Sequence, residues 1–409
     1  MIFDRLQKST TISTSAELAE ALGVGYQSSA GVSVTPKEAV RFAPVYSCIK
    51  VLAESVGMLP LNLFEQKGRV REKARSHSLF NLINLAPNSY MTSQEWRETM
   101  VAHLGLRGNH YSWINRINGQ VRELLPLNPD AVTPAINSDW SVDYKVTFPD
   151  GTQRTLGEDQ IFHVRLMSVD GLTGLSPIAQ ARNSIGLGMA AERFGSRLFK
   201  NGTRPSGLLS TDAKLSAEQM ELMSSSWRKA NSGDDELRTA ILGGGLKWTA
   251  ISISPEDAQF LETRKYQRSE IAGIFRVPAH MINDMEKATF SNIEHQDIAF
   301  VVHTLTPWVT RFEQRIAVSL LTAQEREKFF AKFNVNALLR GDMKSRADYM
   351  WKRFQMGSLS PNDIRDFEDE NPIDNGDTYW VPANMIDPKD NTEMQQTGDQ
   401  NSSTGDDNA

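Results

Sequence analysis

Cysteine is nearly absent from this 409-residue sequence, which contains Cys48 and no other thiol. An intramolecular disulfide and a multi-cysteine zinc site are therefore excluded. No apolar run approaches the ~20 residues that a membrane-spanning helix requires, so an integral membrane protein is not predicted. The first 15 residues mix charged side chains with Ser and Thr and lack the apolar segment of a secretion signal. These absences together favour a soluble protein of a reducing compartment.

Basic charge is also scarce. Lys and Arg total 44 against 50 Asp and Glu, which gives a formal net charge of -6. Residues 387–409 hold six acids and one base, so the rest of the chain is nearly neutral. A protein that clamps nucleic acid through its phosphates usually has an excess of basic residues. Tight, sequence-independent wrapping of DNA is therefore not predicted, whereas transient contact with DNA is compatible with this charge.

Recognisable catalytic motifs are missing as well. The sequence has no HExxH motif, no Gly-x-Ser-x-Gly elbow and no phosphate-binding loop of the Walker type. The histidines are interpreted as surface or half-buried structural residues, and Cys48 as a core residue. One alternative takes Asp257, Glu262 and Lys265 as part of a metal-dependent nuclease, but such residues are ordinary on a polar helix. No cofactor, metal site or enzymatic activity is predicted.

The two ends of the chain differ in composition from the middle. Residues 1–34 and 387–409 are predicted to be disordered, because neither stretch can bury enough apolar surface to offset the entropy lost on ordering. Residues 35–175 are predicted to form an α+β module that begins with the capping box Thr35–Glu38. Hairpin turns are expected at Lys67-Gly68 and Asn118-Gly119, since Asn-Gly between alternating runs is a strong turn signal.

Small residues form a stripe along the helix predicted over 176–202. They recur at spacings of three and four: Ala181, Ser184, Gly188, Ala191 and Gly195. Glycine inside an exposed helix costs about 0.5–1 kcal/mol relative to alanine, so a compensating contact is expected. The stripe either packs on the protein's own core or forms a seam with the same helix of another subunit. The second alternative predicts that Gly188→Leu hinders assembly.

The remainder of the chain divides into five predicted segments. Residues 203–254 form a small α/β unit, and 255–280 a helix whose middle is polar nearly all round. Residues 281–291 form a loop of mixed character. Residues 292–335 contain a long helix, about 30 residues of it, which Pro307 should kink. Residues 336–386 form a further helical module.

Several short motifs occur in a particular order along the chain. They are Val56-Gly57-Met58-Leu59-Pro60-Leu61, Ala86-Pro87-Asn88 with Met91-Thr92, Leu106-Arg107-Gly108-Asn109-His110-Tyr111, Gly174-Leu175-Ser176-Pro177, Ser254-Pro255-Glu256-Asp257-Ala258-Gln259-Phe260-Leu261-Glu262, Phe275-Arg276-Val277-Pro278, Ser291-Asn292-Ile293-Glu294 and Leu338-Leu339-Arg340-Gly341-Asp342. No one of them is specific alone. In this order and spacing they resemble the compact branch of the tailed-bacteriophage portal family over about residues 35–385.

The resemblance implies an elongated α+β subunit that assembles, in twelve copies, into a ring at one vertex of the capsid. The subunit would be made in the host bacterial cytoplasm and found in the virion. Such a ring is the channel for packaging and ejection of double-stranded DNA. The implied partners are identical subunits, the terminase large subunit, a head–tail adaptor and the major capsid or scaffold proteins, without a membrane. Another structural virion component, such as a capsid or neck protein, remains the alternative within this class.

The resemblance also assigns regions and candidate residues. The wing takes 35–175 and 292–335, the stem helices 176–202 and 255–280, the clip 203–254, the channel loop 281–291 and the crown 336–386. The channel-loop candidates are Asp284, Met285, Glu286, Lys287 and Thr289, of which Lys287 would contact phosphates or be an ordinary solvated charge. The candidates for docking the motor or adaptor are Glu218, Glu221, Arg228 and Lys229.

Overall fold

The computed structural model describes residues 26–68, 70–148, 150–200, 207–210, 216–222, 225, 247–250, 255–284, 290–335, 343–368 and 370–380. The chain divides into two units, Met1–Phe333 and Asn334–Ala409. Both helices and sheets are present, so the predicted α+β class is confirmed. Within the described ranges, no helix is long and apolar enough to cross a membrane.

The first unit contains most of the regular structure. Its helices are α1 Pro36–Ala39, α2 Ala43–Gly57, α3 Ser78–Asn84, α4 Ser93–Arg107, α5 Pro177–Gln180, α6 Arg182–Lys200, α7 Pro255–Phe275, α8 Phe290–Ala299 and α9 Thr306–Leu320. Its strands are β1 Leu61–Lys67, β2 Val70–Lys73, β3 Asn109–Ile117, β4 Gln120–Leu127, β5 Val132–Ile136, β6 Val142–Thr147, β7 Gln153–Gly157, β8 Ile161–Arg165, β9 Gly207–Ser210, β10 Lys247–Ala250 and β11 Phe329–Phe333.

The strands form small antiparallel sheets in the orders β11-β1-β2, β4-β3-β8, β5-β6-β7 and β10-β9. Both predicted hairpin turns are confirmed, because Gly68 joins β1 to β2 and Asn118-Gly119 joins β3 to β4, all three at positive φ. Strand β11 was not predicted. It pairs Phe333 with Leu61 at the far end of the unit's sequence, and such a distant partner leaves no local signal.

Helix α2 packs on α4 to form the centre of the first unit. The apolar stripe of α2 and Trp96, Met100 and Leu104 of α4 are buried there. Arg97 is buried in the same layer and donates hydrogen bonds to the carbonyl oxygens of Gly57, at 2.7 Å, and Ile83, at 3.2 Å. These two carbonyls lie at the ends of α2 and α3, so one guanidinium satisfies both helix termini.

Cys48 lies in this core, on α2, and is fully buried as predicted. Burial raises the pKa of its thiol to about 12, because the thiolate would be poorly solvated there. Since the thiolate is the nucleophile, we expect less than one tenth of the thiol to react with a disulfide reagent in an hour at pH 8. The same assay in guanidinium chloride should release one equivalent, and rapid reaction of the native chain would contradict this placement.

The predicted disorder of residues 1–34 is wrong for the last part of that range. Residues 26–34 fold back through a bridge between Gln27 and Ser33, and Val32 and Val34 are buried. This segment lies against α6, where a Cβ on Gly186 would overlap Ser28. The segment has few apolar residues, but burial of Val32 and Val34 stabilises it in an ordered conformation. The rest of 1–34, and all of 387–409, lies outside the described residues.

Two predicted helices have interruptions. The helix predicted over 176–202 begins at the Ser176 cap, but α5 ends at Gln180, and Ala181 leaves the helical conformation before α6 begins. The predicted long helix runs from Phe290 to Leu320, with a π-helical turn at Phe300–Leu305 immediately before Pro307. A proline has no N–H to donate and its ring needs room in the preceding turn, which a wider π turn provides.

The second unit contains α10 Met343–Gln355 and α11 Pro361–Phe367. Ser360 and Asp363 form a complete capping box at the start of α11. The Asn362 side chain then donates to the carbonyl of Ile373 and to Asp377, holding residues 370–377 against the helix. The helical character predicted for this region is therefore found in its described part.

Candidate functional site

Helix α6 contains four of the five residues of the small-residue stripe, and α7 packs beside it. Ser184 of α6 donates from Oγ to the Glu270 carboxylate of α7 at 2.9 Å. A Cβ on Gly188 would lie 2.6 Å from the Phe42 ring and 3.2 Å from Oε1 of Gln267 on α7. The small residues at these two positions therefore accommodate the protein's own side chains. At Ser184 and Gly188 the intrachain alternative accounts for the stripe without a second subunit.

The other members of the stripe are placed as follows. Ala181 is buried at the junction of α5 and α6. Gly195 is buried and Ala191 half-buried along α6. For these residues a seam with another subunit stays a prediction. The stripe as a whole is not one continuous face reserved for a partner, because its middle is occupied from within the chain.

Helix α7 explains how a polar helix can be part of the interior. Gln267 is buried and faces the Gly188 position, and Glu270 accepts the bond from Ser184. Farther along, Ile271, Ala272 and Phe275 are buried. The exposed side of the helix carries Arg264, Lys265, Tyr266 and Arg268. The polar middle thus divides between contacts to α6 and a charged outer side.

Large apolar side chains extend from the outer faces of two helices. Leu187 and Phe194 lie two turns apart on α6, and each has an exposed fraction of 51%. On α8 and the π turn, Ile298 and Val302 are 48% and 50% exposed. Elsewhere on these segments side chains are buried, Ile185 and Met189 in α6 and Phe300 and Leu305 in the π turn. Large apolar side chains exposed on a helix surface are candidates for protein–protein contacts. We call these four residues the outer apolar faces.

The channel-loop candidates lie mostly outside the described residues. Asp284 is half-buried just after the 3₁₀ turn Ala279–Ile282, whereas Met285, Glu286, Lys287 and Thr289 are outside. The flanks of the loop are joined. His280 bonds to Gln296 and Asp297 of α8, each at 2.9 Å. The chain before the loop is thereby attached to the helix after it, a link that the sequence did not predict.

The predicted clip is described only in part. Strands β9 and β10 pair from Gly207 with Ala250 to Ser210 with Lys247. Ser216 and Gln219 form a capping box, in which Ser216 N–H donates to the Gln219 side chain and Gln219 N–H donates to the Ser216 hydroxyl. Residues 217–222 are helical, and Glu218 and Glu221 are exposed on them. Arg228 and Lys229 lie outside the described residues.

A metal-binding arrangement is not found in the described part of the chain, where no three His, Cys, Asp or Glu residues are placed to hold an ion. Of the residues in the nuclease alternative, Lys265 is exposed on α7. The side chains of Asp257 and Glu262 lie outside the described residues.

The sequence is similar to known proteins over most of its length. A family model described as "Phage portal protein" matches residues 43–369. The chain belongs to the phage portal protein family. It is 32% identical over 363 residues to the portal protein of Enterobacteria phage HK97, covering 87% of this chain and 84% of that protein. It is 31% identical over 382 residues to the probable portal protein of Streptomyces phage phiC31, covering 88% and 82%.

Solved structures agree with the portal assignment. A chain from the neck of a native gene transfer agent particle, computed with C12 symmetry, is 25% identical with a TM-score of 0.60. That likeness covers 83% of this chain and 94% of the other. The family expected from the order of motifs is thus confirmed, and the α+β fold is a portal fold. The protein therefore belongs to a family of structural proteins of the bacteriophage virion.

Proposed function

We propose that this portal protein forms a ring of twelve subunits at one capsid vertex and that double-stranded DNA passes through the ring during packaging and ejection. The outer apolar faces carry the proposal, because α6, buried through Ile185 and Met189, and the segment of α8 and the π turn, buried at Phe300, also expose large apolar residues. The related neck chain from a reconstruction computed with C12 symmetry supports a ring of twelve. The role is structural and not enzymatic.

The geometry of a closed ring fits these faces. In a cyclic assembly each subunit presents one surface to the neighbour on its left and a different one to the neighbour on its right. The Leu187–Phe194 face of α6 and the Ile298–Val302 face lie on different helices. We assign them to the two sides of the contact between neighbouring subunits. Covering them in the ring would remove apolar surface from water.

Passage of DNA requires weak contact with its phosphates. The net charge of -6 gives the chain no basic excess to hold the duplex. We assign the contact to the loop 281–291, where Lys287 would approach phosphates transiently. The pairing of His280 with α8 would keep both ends of this loop at one place on the channel wall. Sequence-specific recognition of bases is not part of the proposal.

Docking of other proteins is assigned to the clip. Glu218 and Glu221 are exposed there, and Arg228 and Lys229 follow in the sequence. Exposed charges of both signs suit contacts with a terminase large subunit at one stage and a head–tail adaptor at another. Contacts with the major capsid or scaffold proteins are assigned to the ring as a whole, which places the protein at the portal vertex of the virion.

The ring is tested by its mass and by its outer apolar faces. We expect the purified chain to form particles of about 550 kDa, twelve times 45.8 kDa, with twelvefold projections in negative stain. The double variant Leu187→Lys, Phe194→Lys should keep its circular dichroism and lose at least nine tenths of the rings, because two ammonium groups cannot be buried unpaired. Mass photometry measures the loss.

A matched control is Val70→Lys, which replaces a similarly exposed apolar residue in β2, away from α6. This variant should form rings like the unaltered chain. A monomer or dimer as the sole species of the unaltered chain at high concentration would contradict the portal ring. Rings of another order would favour a different virion component. Normal rings from the double variant would place the subunit contact elsewhere.

A further inference from the structure

The two units differ in how much apolar surface each of them buries. The first unit has an extensive core, which includes even His110 and His163, although the sequence suggested surface or half-buried positions for them. Among the described residues of the second unit, Leu359 is the one large apolar side chain that is buried. A unit this small, with so little buried apolar surface, is not expected to be stable without a further contact.

Large apolar side chains are exposed on the second unit instead. Trp351 is exposed even though its ring stacks on Phe354 with a distance of 6.0 Å between the ring centroids. Exposed aromatic residues are the usual anchors of protein–protein interfaces. The exposed fractions lie between 45% and 71% for Tyr349, Trp351, Met356, Ile373, Tyr379 and Trp380.

Charge is separated along the same unit. Helix α10 has four basic residues and one acid, which gives it a charge of +3. Residues 361–377, which we call the acidic segment, have seven acids and one base, which gives -6. Lys352 is exposed on α10, and Asp366 and Asp374 are exposed on the acidic segment. The second unit therefore carries two surfaces of opposite charge.

The exposed side of α10 combines its positive charge with an aromatic ring. Trp351, Lys352 and Gln355 are exposed at helical spacings of three and four, and we call these three residues the basic face. The single acid of the helix, Asp348, lies one turn earlier. Met350, on the opposite side of the helix, is half-buried. The basic face thus lies on the side of α10 that the unit itself leaves uncovered.

The acidic segment is held in a defined conformation. Asn362 of α11 donates from its backbone N–H to the Gly376 carbonyl at 2.9 Å, and its Oδ1 accepts from Ile373 N–H at 2.8 Å. Its Nδ2 donates to Asp377 at 2.9 Å. A Cβ on Gly376 would overlap the Asn362 side chain, so the two stretches are in close contact. A surface that is already ordered loses little conformational entropy when it binds.

We propose that a second copy of this chain covers these surfaces, with the basic face of one subunit against the acidic segment of the next. In a cyclic assembly each subunit offers a different surface to each of its two neighbours, which is what two oppositely charged surfaces on one unit provide. Opposite charges would favour this pairing over like-to-like contact. Duplex DNA fits less well, because the acidic segment would repel its phosphates. The contact rests on the proposed ring but uses residues other than the outer apolar faces.

Charge reversal on the full chain tests this contact, and hydrogen exchange of the assembled particles, followed by mass spectrometry, measures it. Lys352→Glu with Gln355→Glu should raise the exchange of peptides covering 343–380 about tenfold, since like charges then face each other. Asp366→Lys with Asp374→Lys should raise it similarly. The chain with all four changes should regain protection, because its charges are again opposite. All four positions are exposed, so the variants should fold.

The matched control is Lys145→Glu with Gln153→Glu, an exposed lysine and glutamine on β6 and β7 of the first unit. It changes the net charge equally and should leave the exchange of 343–380 unaltered. No response to either reversal would overturn the contact, as would a fourfold variant that stays unprotected. Protection of the unaltered chain that appears only after duplex DNA is added would also overturn it.

Unaltered particles decide the question if a reversed variant does not fold. Raising NaCl from 0.1 M to 1 M shortens the screening length from about 10 Å to about 3 Å. Peptides covering 343–380 should then exchange faster, whereas those of β3 should not. Equal exchange of 343–380 at both salt concentrations would contradict a contact based on charge.

Mass photometry of the same samples separates this contact from the ring itself. The outer apolar faces are unaltered in every variant, so all of them should keep the mass of the ring. An unaltered chain that forms no rings would remove both proposals. Rings of normal mass whose second units ignore both reversals would leave the ring in place and remove the second contact alone.

Discussion

Replacing Gly108 by alanine is expected to lower the free energy of unfolding by at least about 3 kcal/mol. Gly108 ends α4 at a φ of +77°, where an L side chain costs roughly 1–2 kcal/mol. The added Cβ would also overlap the backbone carbonyl oxygens of Gly174 and Leu175. Both lie in the strap, the segment 166–176 between β8 and α5, where Asn109 bonds the N–H and the carbonyl of Gly174. Backbone cannot rotate away as a side chain does, so the strap must move and lose its bonds to Asn109. Urea unfolding followed by circular dichroism measures the loss.

The matched control is Gly119→Ala. Gly119 has nearly the same φ, +78°, but nothing lies within 4 Å of its Cβ position. We expect this variant to lose only the 1–2 kcal/mol of the backbone term, as an order of magnitude. The difference between the two variants isolates the close approach of the strap to the end of α4. Equal losses would mean that the strap adjusts without cost.

Gly188→Leu is expected to destabilise the subunit by about 3 kcal/mol, at the upper end of the range for overpacking. The first added atom would lie 2.6 Å from the Phe42 ring, and the rest of the leucine has to displace Phe42 or separate α6 from α7. Buried Gln267 lies on the other side, so the site has no free direction. The melting temperature of the variant measures the effect.

Gly273→Ala on α7 serves as the control for Gly188→Leu. No atom lies within 4 Å of the Gly273 Cβ position, so alanine should stabilise the helix by about 0.5–1 kcal/mol. Poor assembly of Gly188→Leu alone would not establish a seam, because a destabilised subunit also assembles poorly. A variant of full stability that forms no rings would instead favour the seam with another subunit.

Local features of the fold were predictable because their determinants lie within a few residues of one another. Helix caps need a partner three residues away. At Ser216 both bonds of the capping box are found, whereas at Thr35 the hydroxyl accepts from Glu38 N–H and the Glu38 carboxylate pairs with Arg41 instead. The turn at Asn118-Gly119 needs two residues that tolerate positive φ. In each case the sequence window contains every atom that makes the interaction.

Features that depend on distant contacts were missed or only partly predicted. The order of residues 26–34 depends on α6, and β11 depends on β1. The stripe on α6 was correctly identified as a contact surface, but its alternatives could not be separated until Phe42 and Gln267 were placed beside Gly188. The bonds of Asn109 to Gly174 had no sequence signal, since asparagine at the start of a strand is unremarkable. The family, by contrast, followed from the joint order of many short motifs.

The seclusion of Cys48 makes this chain suitable for site-directed spectroscopy. Any cysteine introduced at an exposed position would be the sole accessible attachment point for a spin label or a fluorophore, without removal of a native residue. Probes placed on either side of the 281–291 loop could then report distances across an assembled particle, from one copy to the next. Conformational changes of the proposed ring during the proposed passage of DNA could be followed with the interior of the subunit left unaltered.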